Sequence, residues 1–325
     1  MNNKYRVDWQ AGMRLTDETF RSADEYYLSC LQPLYSVLVN GDYGFLSLPI
    51  FRYELSGSTL SVTELDANAI CYSGKLIQLS FTRENRAIFQ NVILPDTREP
   101  IILYIDKTSD NTVKIADNMT SVPLCDADYQ ILVKLEREHY NNPDAVPFAR
   151  LIYKSGWCND TAFIAPCISL KANGALRRAA SDFLIGMEKL TTELKGALAT
   201  AQYTMVMSLL PLLSRVSLEV QKEADQMTPR HLITLMQEVI QMVMILAEVD
   251  VNVILPEKER CQSFVASHYT PYTISQMLED GLHLIHVIVG VVDSFRGREF
   301  KMPVQEVARP ARRVCSTDSI RKKHH

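Results

Sequence analysis

The 325-residue chain is 47% hydrophobic and 22% charged, which excludes wholesale disorder and leaves room for a substantial core in one large or two smaller domains. Its net charge of −4 is uneven: residues 296–325 hold nine Lys or Arg against three acids, +6, so the remainder carries −10. That acidic remainder argues against nucleic-acid binding by the folded part, and seven cysteines without a CxxC pair point to reduced thiols in a cytoplasmic protein and not to a disulfide framework.

In chain order, Met1–Gln10 lacks the basic start and apolar run of a signal peptide. Thr16 reads as an N-cap, with Asp17 and Glu18 placed for the positive end of a helix. Phe20, Ala23, Tyr27, Leu31, Leu34 and Leu38 follow at spacings of three and four, which gives one apolar helical face. Pro33 is expected to kink or split this helix and Asn40-Gly41 to end it.

From Tyr43 to Leu170 the period changes. Runs rich in β-branched and aromatic residues (Phe45–Leu55, Thr59–Leu65, Ile101–Lys107, Tyr129–Leu135, Phe148–Lys154) are separated by turn residues such as Ser56-Gly57-Ser58. Short strands at such intervals, without a helical crossover between them, predict an antiparallel sandwich or barrel.

After Asn173-Gly174, Leu176, Ala180, Phe183, Met187, Leu190 and Leu194 fit a helix. A second is expected over about 197–222, kinked at Pro211, and a third from the Thr228-Pro229 cap to about Val249. A loop with Pro256 and Pro271 then leads to a helix from Thr273 to about Ser294. Four such helices predict an up-and-down bundle. The longest strongly apolar stretch, Leu282–Val292, is too short to span a bilayer. The expected fold class is α+β: a β-sandwich domain over 1–172, a four-helix bundle over 173–295 and a basic tail over 296–325.

Four short segments carry a resemblance. Val7, Trp9, Gly12, Met13, Leu15 and Phe20 fit a Val-x-Trp-x-x-Gly-Met-x-Leu opening followed by a Pro-x-His-Phe-Gln stretch. Tyr43-Gly44-Phe45, Phe163-Ile164-Ala165-Pro166-Cys167 and Tyr269-Thr270-Pro271-Tyr272 follow in order. Together they resemble the type VI secretion baseplate subunit family TssK. Asp17 and Thr19 stand where that pattern has proline and histidine, as in a divergent branch.

The resemblance implies a homotrimer whose β-rich shell, like the shoulder domain of phage receptor-binding proteins, binds the TssF–TssG wedge. It also implies a helical stalk and a link to the envelope-spanning membrane complex, made by the tail or another surface, at the inner face of the inner membrane. Residues 296–325 are too few to form the family's C-terminal domain, so a Bacteroidota-type system with different envelope proteins is expected.

Candidate chemistry is sparse. Glu279, His283 and His286 share a helical face and could meet a metal, but the spacing is not HExxH and the flanks are apolar. Cys167 has no identifiable base, and GxSxG, P-loop and GxGxxG motifs are missing. No cofactor, metal or catalytic residue is therefore assigned, and the protein is read as a structural adaptor. A ligand-binding module like the tip of a phage receptor-binding protein and a metal-dependent hydrolase are the alternatives.

The methionines of the helical half read as adaptable core packing or as a partner groove. Val239, Met242, Val243 and Leu246 would suit a threefold seam. The basic tail reads as a solvated end, a docking peptide or a weaker membrane contact. The apolar arm, Val7, Trp9, Gly12, Met13, Leu15 and Phe20, either latches onto a partner or staples the first helix to its own sheet.

Overall fold

Thr16 does open the first helix. Its Oγ1 accepts the Thr19 N–H at 3.2 Å, and α1 runs Asp17–Leu38 with Pro33 inside it. The computed structural model describes residues 6–38, 42–81, 90–114, 123–138, 140–200, 206–249 and 255–293; the expected stop at Asn40-Gly41 lies outside them.

Nine strands follow among the described residues: β1 Gly44–Phe45, β2 Ile50–Ser56, β3 Thr59–Ile70, β4 Leu76–Phe81, β5 Gln90–Ile93, β6 Ile101–Lys114, β7 Pro123–Leu135, β8 Ala145–Tyr153 and β9 Trp157–Asn159. In the first sheet β3 pairs antiparallel with β1, β2, β4 and β5. The second sheet has the order β7-β6-β8-β9, again antiparallel.

Strand β3 shows how the sequence fits this pairing. Leu60 and Val62 are buried, and so are Leu65, Ala67 and Ala69, although the two sets differ in parity. Arg52 pairs with Glu64 and Tyr53 with Val62, so Thr63 is an extra residue in β3. Such a bulge restores the inward direction that strict alternation would reverse. All five side chains therefore reach one core.

The sheets face each other across that core: Phe51 of β2 meets Phe148 of β8 edge-on at 4.9 Å. Side chains join them at their margins. Gln90 of β5 accepts the Ile131 N–H at 2.7 Å and donates to its carbonyl at 3.2 Å, as a neighbouring strand would. The Tyr129 hydroxyl accepts the Gln78 N–H at 3.1 Å. On the other margin, the Tyr53 hydroxyl accepts the Asn159 N–H at 3.1 Å. Tyr53→Phe removes that acceptor, and an equilibrium urea titration is expected to show a loss of about 1 kcal/mol.

The helices are α2 Gly174–Thr200, α3 Val206–Glu223, α4 Pro229–Val249, α5 Lys258–Ala266 and α6 Ile274–Asp293. Helix α2 packs on α3 and α6, and α4 on α3, α5 and α6. The short α5 occupies a stretch expected to be loop. Its buried Cys261 and Phe264 are too few for a clear period, so tertiary contact decides the conformation.

Helix α4 is long and apolar enough to cross a membrane by length and composition. Its Leu232, Ile233, Leu235, Met236, Val239, Ile240 and Val243 are buried in the core. Val239 and Val243 are thus spent on the chain's own packing, which corrects the seam expected from them; Met242 and Leu246 lie partly buried against the same core. Met227, Met236 and Met277 are core residues too. One continuous cluster of buried side chains runs from Phe45 and Leu60 in the sheets to Phe183, Ile240 and Ile288 in the helices.

Candidate partner-binding surface and the joint behind it

The segments that carried the resemblance separate into two places. Three of them meet inside the molecule. Phe45, fully buried, donates its N–H to the Pro166 carbonyl at 2.8 Å and accepts the Ile168 N–H at 3.2 Å, forming a parallel bridge with Cys167. Gly44 before it has φ +129°, and a Cβ there would lie 2.1 Å from the Pro166 oxygen. Only glycine admits this approach.

The start of α6 closes the same joint. The Ser275 hydroxyl accepts the Ile164 N–H and donates to the Ala162 carbonyl, each at 3.2 Å. The Tyr272 ring stands edge-on to Tyr43, 6.4 Å between centroids. Burial and this neighbour hold the Tyr43 phenol far above its ordinary pKa, so it stays neutral.

The joint also contains a pair that the sequence reading missed. Asp42 is almost completely buried and accepts from Arg230 Nε at 2.8 Å. Arg230 in turn covers the Tyr269 ring at 4.9 Å. Asp42 therefore sits at the N-terminus of α4, where Thr228 caps the His231 N–H at 3.2 Å. Burial raises the Asp42 pKa, while Arg230 and Thr228 pull it back down. The available signal was Arg230 directly after the Thr228-Pro229 cap, but its partner lies 188 residues away.

Cys167 belongs to this interior. Its thiol is buried, donates to the Ala165 carbonyl at 3.2 Å, and burial pushes its pKa up to about 12. It stays protonated and unreactive at neutral pH.

The opening motif behaves differently. Gly12, at φ +84°, forms a turn in which Met13 donates to the Gln10 carbonyl at 3.1 Å. The turn folds the arm back so that Trp9 meets Phe20 at 5.8 Å. Trp9 is nonetheless 46% exposed, and Met13, Leu15 and Phe20 are exposed as well; Val7 is half-buried. The structure brings Trp9, Gly12, Met13 and Phe20 together at the start of α1. It does not place them in the core of either sheet. Tyr27, Leu28, Leu31 and Leu34 extend the exposed apolar surface along α1.

The proposed metal trio takes another form. Glu279, His283 and His286 are all exposed, and His283 Nε2 lies 3.1 and 3.2 Å from the two Glu257 oxygens. Among the described residues no group of three His, Cys, Asp or Glu is arranged to hold an ion. A cleft of about 560 Å³ lies between the outer face of β6 and the start of α6, lined by Ile102, Tyr104, Arg150, Phe163, Tyr272 and Glu279 among others. Its cation, Arg150, is engaged by Glu136 at 2.9 Å and Asp160 at 3.3 Å.

Two antiparallel sheets joined through a shared core to long helices, with an apolar arm outside, define a mixed α and β protein. The particular fold is that of TssK. A crystal structure of TssK matches at TM-score 0.61 and 16% identity, over 88% of this chain and 69% of that one. A chain of the TssK-TssF-TssG baseplate subcomplex, determined by cryo-electron microscopy, matches at 0.61 and 15%, over 89% of this chain and 99% of its own. TssK from the EAEC system, bound to a nanobody, matches at 0.55 and 15%, over 83% and 68%. No family model and no curated protein matches the sequence. At this distance the likeness is one of fold, and it agrees with the resemblance carried by the motifs.

Proposed function

We propose that this chain is a structural baseplate adaptor of a type VI secretion system, a cytoplasmic homotrimer at the inner face of the inner membrane. In this reading it links a TssF–TssG wedge to the envelope-spanning complex and performs no bond chemistry. The β-sandwich over 1–172 supplies the wedge interface, the four-helix bundle over 173–295 is a stiff spacer, and the tail over 296–325 or another surface meets the membrane complex. The observation that carries the proposal is the TssK fold found together with an apolar arm that its own sheets leave uncovered. Affinity comes from a few buried anchors multiplied by attachment in several copies.

The test is co-purification with neighbouring baseplate proteins alongside a measurement of molar mass in solution. A complex of several copies that captures wedge proteins is expected. A monomer that captures none defeats the proposal.

Within the arm, Val7, Trp9, Gly12, Met13, Leu15 and Phe20 form the latch. Trp9→Ala is expected to change unfolding stability by less than about 0.5 kcal/mol, because the ring is half in solvent already. The same change should weaken wedge capture by about tenfold or more. Undiminished capture assigns the latch to another surface.

A further inference from the structure

The cleft between β6 and the start of α6 combines an apolar, aromatic lining with acids. Ile102, Tyr104, Phe163 and Tyr272 supply the first, and Tyr272 is 42% exposed. Glu136 and Glu279 supply the second. Arg150, the cation among the lining residues, is already shared between Glu136 and Asp160. Glu279 is exposed and forms no ion pair among the described residues. Such a surface suits an arginine, whose guanidinium stacks on an aromatic face while a carboxylate accepts its N–H groups. Arg230 makes both contacts elsewhere in this chain, 4.9 Å over the Tyr269 ring with its Nε 2.8 Å from Asp42. Aromatic-lined grooves also take up extended, proline-containing backbone.

One segment of this chain has the matching chemistry. Residues 307–314 read Val-Ala-Arg-Pro-Ala-Arg-Arg-Val, with three arginines, a proline and no acid. Pro310 disfavours helical backbone at Arg309. In polyproline-type backbone, positions three apart share a face, so Arg309 and Arg312 fall on one side about 9 Å apart. The reach is sufficient. Helix α6, Ile274–Asp293, is about 30 Å long, and the cleft lies at its start. Arg309 follows Asp293 by 16 residues, about 50 Å of extended chain.

We infer that residues 307–314 dock in the cleft of their own chain, with Arg309 and Arg312 on the Glu279 and Glu136 carboxylates and Pro310 against Tyr272. This contact lies beyond the adaptor reading and does not rest on it. A docked segment leaves the membrane complex to another surface.

The test uses the full-length protein. Gln276 lines the cleft and is exposed, and Cys315 follows Arg312 by three residues. In a Cys30→Ser background, Gln276→Cys should form a disulfide with Cys315 under mild oxidation, mapped by mass spectrometry and confined to one chain on a non-reducing denaturing gel. The link should form about tenfold faster or more than from Ile245→Cys, an exposed position near the end of α4, because docking raises the local concentration. Glu279→Lys should slow it by about tenfold at low salt. Equal rates from the two cysteine positions, or a rate indifferent to Glu279→Lys, overturn the inference. A link that joins two chains assigns the cleft to a neighbouring copy and overturns docking within one chain. Molar mass and wedge capture report on the adaptor reading separately, so failure here leaves that reading intact.

Discussion

Gly44→Ala is expected to destabilise the protein by about 3–5 kcal/mol, the sum of a strained backbone and an overpacked contact. The new Cβ would lie 2.1 Å from the Pro166 oxygen, 2.2 Å from its carbonyl carbon and 2.6 Å from the Cys167 nitrogen, at a φ of +129°. All three obstacles are backbone, so no side-chain rotation relieves them. Relief requires β1 to move away from Pro166, which breaks the Phe45 N–H bond and withdraws a fully buried phenylalanine. Urea unfolding monitored by tryptophan fluorescence measures the loss. A midpoint unchanged from the wild type would mean that β1 does not hold the joint.

Arg230→Met should have the second-largest effect, a loss of about 2–3 kcal/mol at pH 7, because it leaves the Asp42 carboxylate buried without its cation. Arg230 is itself 36% exposed, which keeps the figure at the low end for a broken ion pair. The pH dependence identifies the cause. In the wild type, burial already raises the folded-state pKa of Asp42, against the pull of Arg230 and Thr228. Removing Arg230 raises it further.

A carboxyl whose folded pKa exceeds its unfolded value binds more protons when folded, so its contribution is most favourable below the unfolded pKa. That contribution is lost as pH rises through the folded pKa. The deficit of the variant should therefore be greatest at neutral pH and shrink on acidification as Asp42 takes up a proton. Asp42→Asn in the same background should recover part of the loss at pH 7. A deficit independent of pH would place its origin in the lost contact with Tyr269.

Much of this architecture could be read from residue patterns. Helix α1 is announced by Thr16 and the spacing of its apolar residues, and α4 by Thr228-Pro229, because caps and periods are local and a side chain satisfies them within one turn. The two antiparallel sheets follow from short β-branched runs. What escaped is what depends on distant neighbours. Thr63 as a bulge cannot be inferred from β3 alone, since its register is set by β2. Pro256 and Pro271 point to a loop where α5 forms, because its two buried residues, Cys261 and Phe264, gain a partner only when α4 and α6 are present.

The candidate surface divides in the same way. Trp9, Met13, Leu15 and Phe20 were visible as an apolar excess in the arm, but their exposure depends on which surfaces the rest of the chain covers. Asp42 carries no local signal, because Arg230, the partner that gives it its role, lies 188 residues away. The motifs at Tyr43–Phe45, Phe163–Cys167 and Tyr269–Tyr272 drew notice as signs of kinship. Their physical task is to fasten sheet to helix.

The side-chain bridges at the sheet margins bear on how the molecule behaves in company. Gln90 fills the hydrogen-bonding positions at Ile131 that a foreign strand would need, and Tyr129 does the same at Gln78. An incoming segment would have to evict those side chains before it could zip onto the backbone. At those two points the margins are closed to edge-to-edge addition of a strand from another molecule.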